Sequence, residues 1–179
     1  MKTEYEVKVL EINVDEICKK LEDMNAVLIG SYLQRRYTYN FNPVQEKKWI
    51  RLRTNGETTT LCIKEVTAMT IDGTKELEVE VSDFDTTRDI LEQLGYNPKN
   101  YQETKRITYK LDNIEIDIDT WPLIPSFMEI EGPDTESVTK MLDRLDVSED
   151  KVSTLDVQGI FNEKYGIEID PIKELKFND

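Results

Sequence analysis

The chain has 179 residues, a length that suits one domain and allows a sizeable core. Its net charge of −14 disfavours nucleic-acid phosphates and anionic membranes as partners, though a local basic pocket could still hold a small polyanion. It contains no histidine, which removes imidazole bases, Ser-His and Cys-His nucleophiles and histidine-based zinc sites, and leaves carboxylates, Lys, Arg, Tyr and hydroxyls, with a hard metal, as the chemistry on offer.

Charged residues make up 34% of the chain and apolar ones 38%, yet the apolar residues recur periodically throughout, as in a folded domain. Cys18 and Cys62 form neither a metal-binding spacing nor a disulfide framework and read as small buried residues in a reducing compartment. No apolar run approaches the ~20 residues of a membrane span. MKTEYEV has no apolar segment after its lysine, so the expected location is the cytoplasm.

In chain order, residues 3–11 alternate as a strand. Asn13 can cap a helix over 14–24, in which Val14, Ile17, Cys18 and Leu21 keep helical spacing. A long strand follows over 26–39, then the loop NFNPVQEK. Strands 49–54 and 58–66 flank Asn55-Gly56, the best hairpin turn in the sequence. Asp72-Gly73 marks another turn before a strand over 75–81. Asp83 or Asp85 opens a helix that runs through Leu94 and stops at Gly95. Strands 104–111 and 114–120 form a hairpin about Asp112-Asn113, and 127–132 is the last strand. Helices are expected over 135–145 and 155–165, with the polar stretch 146–153 between them as the best candidate for a linker. Residues 1–179 are therefore expected to form a single domain, its strands within roughly 3–131 and its C-terminal helices within roughly 135–165.

The pattern is α+β: many antiparallel strands and a few helices. About eight strands joined by hairpins could close into a barrel and leave no free edge. Aligned by period two, nearly every strand has one apolar and one charged face. Glu4, Glu6 and Lys8 oppose Tyr5, Val7 and Val9; Arg51 and Arg53 oppose Ile50 and Leu52; Lys64 joins Cys62 against Leu61 and Ile63. Glu76, Glu78 and Glu80 oppose Leu77, Val79 and Val81. Arg106, Thr108 and Lys110 oppose Ile107, Tyr109 and Leu111. Glu115, Asp117 and Asp119 alternate with Ile114, Ile116 and Ile118, and Glu129 and Glu131 with Met128 and Ile130. The helices are expected to cover the apolar face. Tyr37 and Tyr39 share the face of Leu33 and should pack outward; Trp49 and Trp121, at strand ends, read as packing or rim residues.

A single ExExK strand is best read as a solvated face. The whole set reads differently, because same-face acids side by side repel and the bases gather on other strands. Turned inward, these faces form a polar tunnel. Acids there could hold Mg²⁺ or Mn²⁺, and Arg and Lys could neutralise phosphate oxygens, which together make a phosphoryl-transfer site.

In order along residues 3–165, the N-terminal ExExK, Arg51-x-Arg53, Lys64, Glu78-x-Glu80, Arg106, Asp119 and the closing Glu129–Gly132 run resemble the CYTH, or triphosphate tunnel metalloenzyme, superfamily. The resemblance implies an eight-stranded antiparallel barrel with helices on its outer face, a triphosphate substrate and a divalent metal, Mg²⁺ or Mn²⁺. By carry-over, Glu4, Glu6, Asp119, Glu129 and Glu131 would hold metal, and Lys8, Arg51, Arg53, Lys64 and Arg106 the phosphates. Glu4, Glu6, Lys8 and Asp119 would form the catalytic set; Glu78, Glu80 and Asp117 could complete it. Beside bound phosphate, Lys8 should stay charged and act as a phosphate ligand before it acts as a base. Two departures are noted: Lys105 has the wrong parity for the tunnel, and Tyr37 stands where many bacterial members have Asp.

Family members include class IV adenylyl cyclases and thiamine, inorganic and RNA triphosphatases. Hydrolysis of a triphosphate is preferred here because it demands only the chain, a metal and water. Conversion of ATP to cyclic AMP and pyrophosphate is the alternative, and a non-catalytic polyphosphate- or nucleotide-binding module the second. The expected partner is a small-molecule triphosphate, with no nucleic acid and no membrane. A homodimer is compatible with the apolar flank that a barrel with helices on one side leaves.

Overall fold

The computed structural model describes residues 1–178. The main elements, in chain order, are β1 (Lys2–Val9), α1 (Val14–Asp23), β2 (Val27–Asn40), β3 (Lys48–Thr54), β4 (Thr59–Val66), β5 (Thr74–Val81), α2 (Phe84–Gln93), β6 (Asn100–Leu111), β7 (Ile114–Thr120), β8 (Phe127–Gly132) and α3 (Thr135–Arg144). The strands follow β6-β2-β3-β4-β5-β1-β8-β7, and β7 pairs again with β6. The result is a closed eight-stranded antiparallel barrel with its helices outside, as the alternating sequence led one to expect.

Local chemistry sets the element ends. The Asn13 side chain accepts from the backbone N–H groups of Asp15 and Glu16 and starts α1; Asp83 and Asp134 do the same for Thr86 and Ser137 in α2 and α3. The β4–β5 turn depends on Gly73, where a Cβ would sit 1.9 Å from the Ala68 carbonyl oxygen.

Two helices close the main core. Leu21 of α1 and Val138 and Met141 of α3 pack on the outward residues Val7, Ile116, Ile118, Met128 and Ile130 of β1, β7 and β8. Each such side chain, fully buried, contributes about 1.5–3 kcal/mol relative to exposure. On the far side, Phe84 and Leu91 of α2 cover Tyr39, Ile50 and Leu52, and Tyr37 stacks on Phe84 with centroids 5.5 Å apart. Tyr37 and Tyr39 therefore do face outward. The helices do not cover the whole apolar face, contrary to expectation. Three ten-residue helices cannot span eight strands, so Val27, Leu28 and Leu33 of β2 and Leu77 and Val79 of β5 stay exposed.

Three segments differ from the sequence reading. β6 begins at Asn100, not 104, and pairs with β2 from Thr38↔Asn100 onward. The expected linker contains a 3₁₀ turn (Glu149–Lys151) and β9 (Val152–Ser153), which pairs with β1. The expected helix over 155–165 is one α-turn, α4 (Val157–Gly159), continued as a π-helix (Ile160–Lys164). Its adjacent residues Ile160 and Phe161 are both buried against Leu10, Trp121, Ile124 and Phe127. The tail continues this cluster: Ile169 and Leu175 are buried, and β10 (Glu174–Leu175) adds in parallel to the start of β6.

Candidate functional site

The inward faces of the strands enclose a cavity of about 1060 Å³. β1 contributes Glu4, Glu6 and Lys8; β3 Arg51 and Arg53; β4 Lys64; β5 Glu76 and Glu78; β6 Arg106; β7 Asp117 and Asp119; β8 Glu129 and Glu131. Strand register thus gathers all but one of the residues singled out by the sequence. Glu80 is the exception: it pairs with Thr60 near the end of β5, is exposed, and lies outside the cavity lining. Lys105 points away from the tunnel, as its parity required, and its ammonium lies 4.5 Å from the Phe177 ring centroid.

Acids and bases in the tunnel form a connected lattice. The Arg106 guanidinium donates to both Asp119 oxygens (2.7 and 2.6 Å), to Asp117 (2.5 Å) and to Glu129 (2.7 Å). Arg51 pairs with Glu76 (3.0 Å) and Glu78 (3.4 Å). Lys64 reaches past β5 to Glu4 on β1 (2.9 Å). Lys8 pairs with Glu6 (3.1 Å) and Glu129 (3.6 Å). Burial works against the Lys8 charge, but Glu6 and Glu129 outweigh it and hold the ammonium above the usual lysine range. Lys8 is therefore a fixed cation rather than a ready base.

One acid row is only partly neutralised, by Lys8 at one end and Lys110 at the other. Glu6, Glu131 and Glu115 lie directly opposite one another across β1, β8 and β7. Glu131 makes no ion pair among the described residues, and burial, then the Glu4 and Glu6 charges, push its carboxyl up to about 7. Glu4 is raised too, by burial and by Glu76 beside it. Acids placed face to face disfavour the empty, fully ionised state, and their hard oxygens are what Mg²⁺ or Mn²⁺ takes as ligands. Glu4, Glu6 and Glu131 thus offer oxygen ligands of the chemistry a divalent ion takes, the first two by exchange of their lysine partners. Among the described residues, the acidic group whose ligand atoms converge, within 4.8 Å of one another, is Cys62 with Glu76 and Glu78. It suits a hard cation less well, because burial pushes the Cys62 thiol up to about 11 and a thiol is a soft ligand.

The sequence reading passes over several tunnel residues, Glu76, Glu115 and Arg36 among them. Glu76 and Glu115 share the charged faces of their strands, and Glu76 bonds Arg51 and lies 4.0 Å from Lys64. For Arg36, its position one residue before the outward-facing Tyr37 was the available signal, since period two then turns it inward. It is 5% exposed, and its guanidinium lies over the Trp121 ring at 4.6 Å. Trp121 is itself buried against the C-terminal cluster and borders the cavity; Trp49 lines the cavity as well.

The model of the CYTH domain matches residues 2–152. No curated protein matches the sequence. Among solved structures, the chain resembles PH1012 protein from Pyrococcus horikoshii OT3, at 24% identity and a TM-score of 0.75, covering 86% of this chain and 96% of that one. A proposed adenylate cyclase from Vibrio parahaemolyticus gives a TM-score of 0.76 at 15% identity, over 90% of this chain and 98% of that one. HpAC1 from Hippeastrum, a proposed adenylyl cyclase whose structural description reports a dominant triphosphatase activity, gives 0.60 at 12% identity, over 93% and 97%. At these identities the solved structures bear on the fold.

Proposed function

The chain belongs to the CYTH domain family, and from that premise we propose that it hydrolyses a triphosphate-containing substrate with the help of a divalent metal. The observation that carries the reading is the division of the tunnel wall. Acids of β1 and β8 (Glu4, Glu6 and Glu131), of which Glu131 has no ion-pair partner among the described residues, line the same cavity as a group of cations on β2, β3, β4 and β6. A bare anion site would not need the acids, and a bare metal site would not need the cations.

Glu4, Glu6 and Glu131, with Glu129 beside them, would hold Mg²⁺ or Mn²⁺, which supplies charge neutralisation on the phosphate oxygens and orders an attacking water. Arg51, Arg53, Lys64 and Lys8 bind the equatorial oxygens of the chain and hold it straight for in-line attack. Arg106 fixes Asp119, Asp117 and Glu129 in the wall. Arginine suits this work because its planar fork meets two oxygens at once.

Inorganic tripolyphosphate, ATP and thiamine triphosphate, each given Mg²⁺ or Mn²⁺, test the reading by release of orthophosphate. Glu4→Ala and Glu6→Ala should each abolish that release while the protein still melts cooperatively. Cyclic AMP and pyrophosphate as the products from ATP would replace hydrolysis with cyclisation. No turnover of any of them, with binding retained, would make the protein a polyphosphate-binding module.

A further inference from the structure

The barrel does not close over the full length of its strands. β2 pairs with β6 from Val27 to Thr38, but with β3 only from Arg35 to Asn40. Residues 27–34 are therefore paired on one side alone, and no other strand among the described residues adjoins them. At about 3.3 Å per residue this free edge is about 26 Å long. β5 has a free part too: it pairs with β4 up to Val81, but with β1 only over Thr74, Lys75 and Glu76.

The two edges differ in how they are guarded. Charged side chains on an edge strand discourage the addition of another strand. The free part of β5 carries Glu78 and Glu80. Residues 27–34 carry no charge and lie within 24–34, the longest uncharged stretch of the chain. Val27, Leu28, Ile29 and Leu33 are 48–62% exposed. A bulge between Leu28 and Gly30 interrupts the register with β6 near the start of the edge, and Gly30–Gln34 beyond it pair regularly.

The ends of this edge carry opposite charges. Arg35 is exposed at one end, shares the outward face of Leu33 and Tyr37, and makes no ion pair among the described residues; its guanidinium lies over the Phe84 ring at 5.4 Å. At the other end α1 finishes on the exposed Glu22 and Asp23, and Glu22 accepts from the Tyr109 hydroxyl (3.4 Å), which belongs to the residue opposite Leu28. Antiparallel apposition of two such edges sets the arginine end of each beside the acidic end of the other. A two-fold axis normal to the sheet keeps both outer faces on the same side. With Ser31 opposite its own copy, residue counting then places Leu33 of one chain beside Ile29 of the other. Because each chain carries a net charge of −14, an uncharged edge with complementary ends is also where two copies meet the least repulsion.

We propose that the free edge of β2 pairs antiparallel with the same edge of a second copy of this chain, joining two barrels through one continuous sheet. This pairing is independent of the triphosphate reading. It uses both free edges at once and leaves none for a third copy, so assembly stops at a dimer. One strand with its flanking side chains falls at the low end of specific interfaces, for which about 800 Å² per partner is standard, so a dissociation constant on the order of micromolar is expected.

Sedimentation equilibrium of the full chain, from about 1 to 200 μM, should show a reversible monomer–dimer equilibrium. Leu33→Lys should weaken it about tenfold or more and leave the melting temperature of the monomer unchanged, since the position is exposed. Leu77→Lys, at an exposed apolar position on β5, should leave the association as it is. Arg35→Glu should weaken the dimer, and Arg35→Glu combined with Asp23→Arg should recover much of the loss, a coupling that an interface elsewhere would not give. A chain that stays monomeric throughout, a dimer indifferent to Leu33→Lys, equal weakening by Leu77→Lys, or no recovery in the charge-swapped double variant would each overturn the proposal. So would a monomer whose edge takes up an added extended apolar peptide of unrelated sequence, which would assign the edge to a foreign strand.

Discussion

Arg106→Met should be among the most damaging single substitutions in the barrel, and the structure says by how much. The Arg106 guanidinium makes four bonds of 2.5–2.7 Å to Asp117, Asp119 and Glu129, and its side chain is 11% exposed. After its removal Asp117 keeps Thr108 (2.6 Å) and Glu129 keeps Lys8 (3.6 Å), but both Asp119 oxygens lose the only partner they have among the described residues. Removing one member of a buried ion pair costs about 3–5 kcal/mol, because the other charge is left without compensation. For a chain of this size each kcal/mol lowers the melting temperature by about 2–4 °C, so a fall of roughly 6–20 °C is expected at pH 7.5. The sign of the pH effect follows. Burial already raises Asp117 and Asp119, and Arg106 opposes that rise. Without the arginine they rise further, so the folded variant binds more protons than the unfolded chain and is more stable at lower pH. The deficit should therefore shrink between pH 7.5 and pH 5. Thermal unfolding by circular dichroism measures both; Arg106→Lys, which keeps the charge, should recover part of the loss. A variant that melts within about 2 °C of the wild type at pH 7.5 would refute the lattice as a structural element.

Two further outcomes are expected. In EDTA, the Glu131 carboxyl at about 7 lies above its ordinary value, so the stability it lends is complete at low pH and is lost as pH rises through about 7; Mg²⁺ should flatten that slope, and Glu131→Gln should remove it, both read from melting temperature against pH. Leu175→Ala should cost about 2–5 kcal/mol in denaturant unfolding, because Leu175 is 3% exposed within the cluster that joins the tail to Trp121 and Phe161; an unchanged midpoint would mean the tail does not hold that cluster.

Period two made most of the wall legible. Once Tyr5, Val7 and Val9 turn outward, Glu4, Glu6 and Lys8 can only turn inward, and the same holds strand by strand up to Glu131. Parity does not say how far a strand runs inside the barrel, and so Glu80, with the right parity, falls past the lining. Nor does it supply pairing. That Lys64 meets Glu4 across an intervening strand, or that Glu6 faces Glu131, depends on β1 lying between β5 and β8, which no local pattern encodes. Arg36 had the parity but sits in QRRYTYN, where an adjacent arginine and no acid make it read as surface. The start of β6 was missed because Asn100, Gln102 and Thr104 face a polar lumen, and apart from Tyr101 the outward residues before Ile107 are charged, so the stretch has almost no apolar alternation to detect. The irregular 157–164 segment follows from tertiary packing of Ile160 and Phe161, which overrides helical period.

The lattice also bears on how such a tunnel could take its ligand. Two isolated sets, bare acids and bare cations, would each be destabilised by repulsion in a cavity shielded from water. Interleaving them solves this: Glu4 neutralises Lys64, Glu6 neutralises Lys8, and Asp117, Asp119 and Glu129 together neutralise Arg106. Under the proposed function, a metal and a polyphosphate entering together replace those contacts in kind, the metal taking the acids and the phosphates the cations. Neither does so alone without leaving one set unpaired. Binding of metal and of phosphate chain should therefore be mutually reinforcing, and linkage requires each to raise the affinity of the other by the same factor. Where the lattice has a gap among the acids, at Glu131, no internal cation has to be displaced, and under the proposed function that is where a metal meets the least resistance.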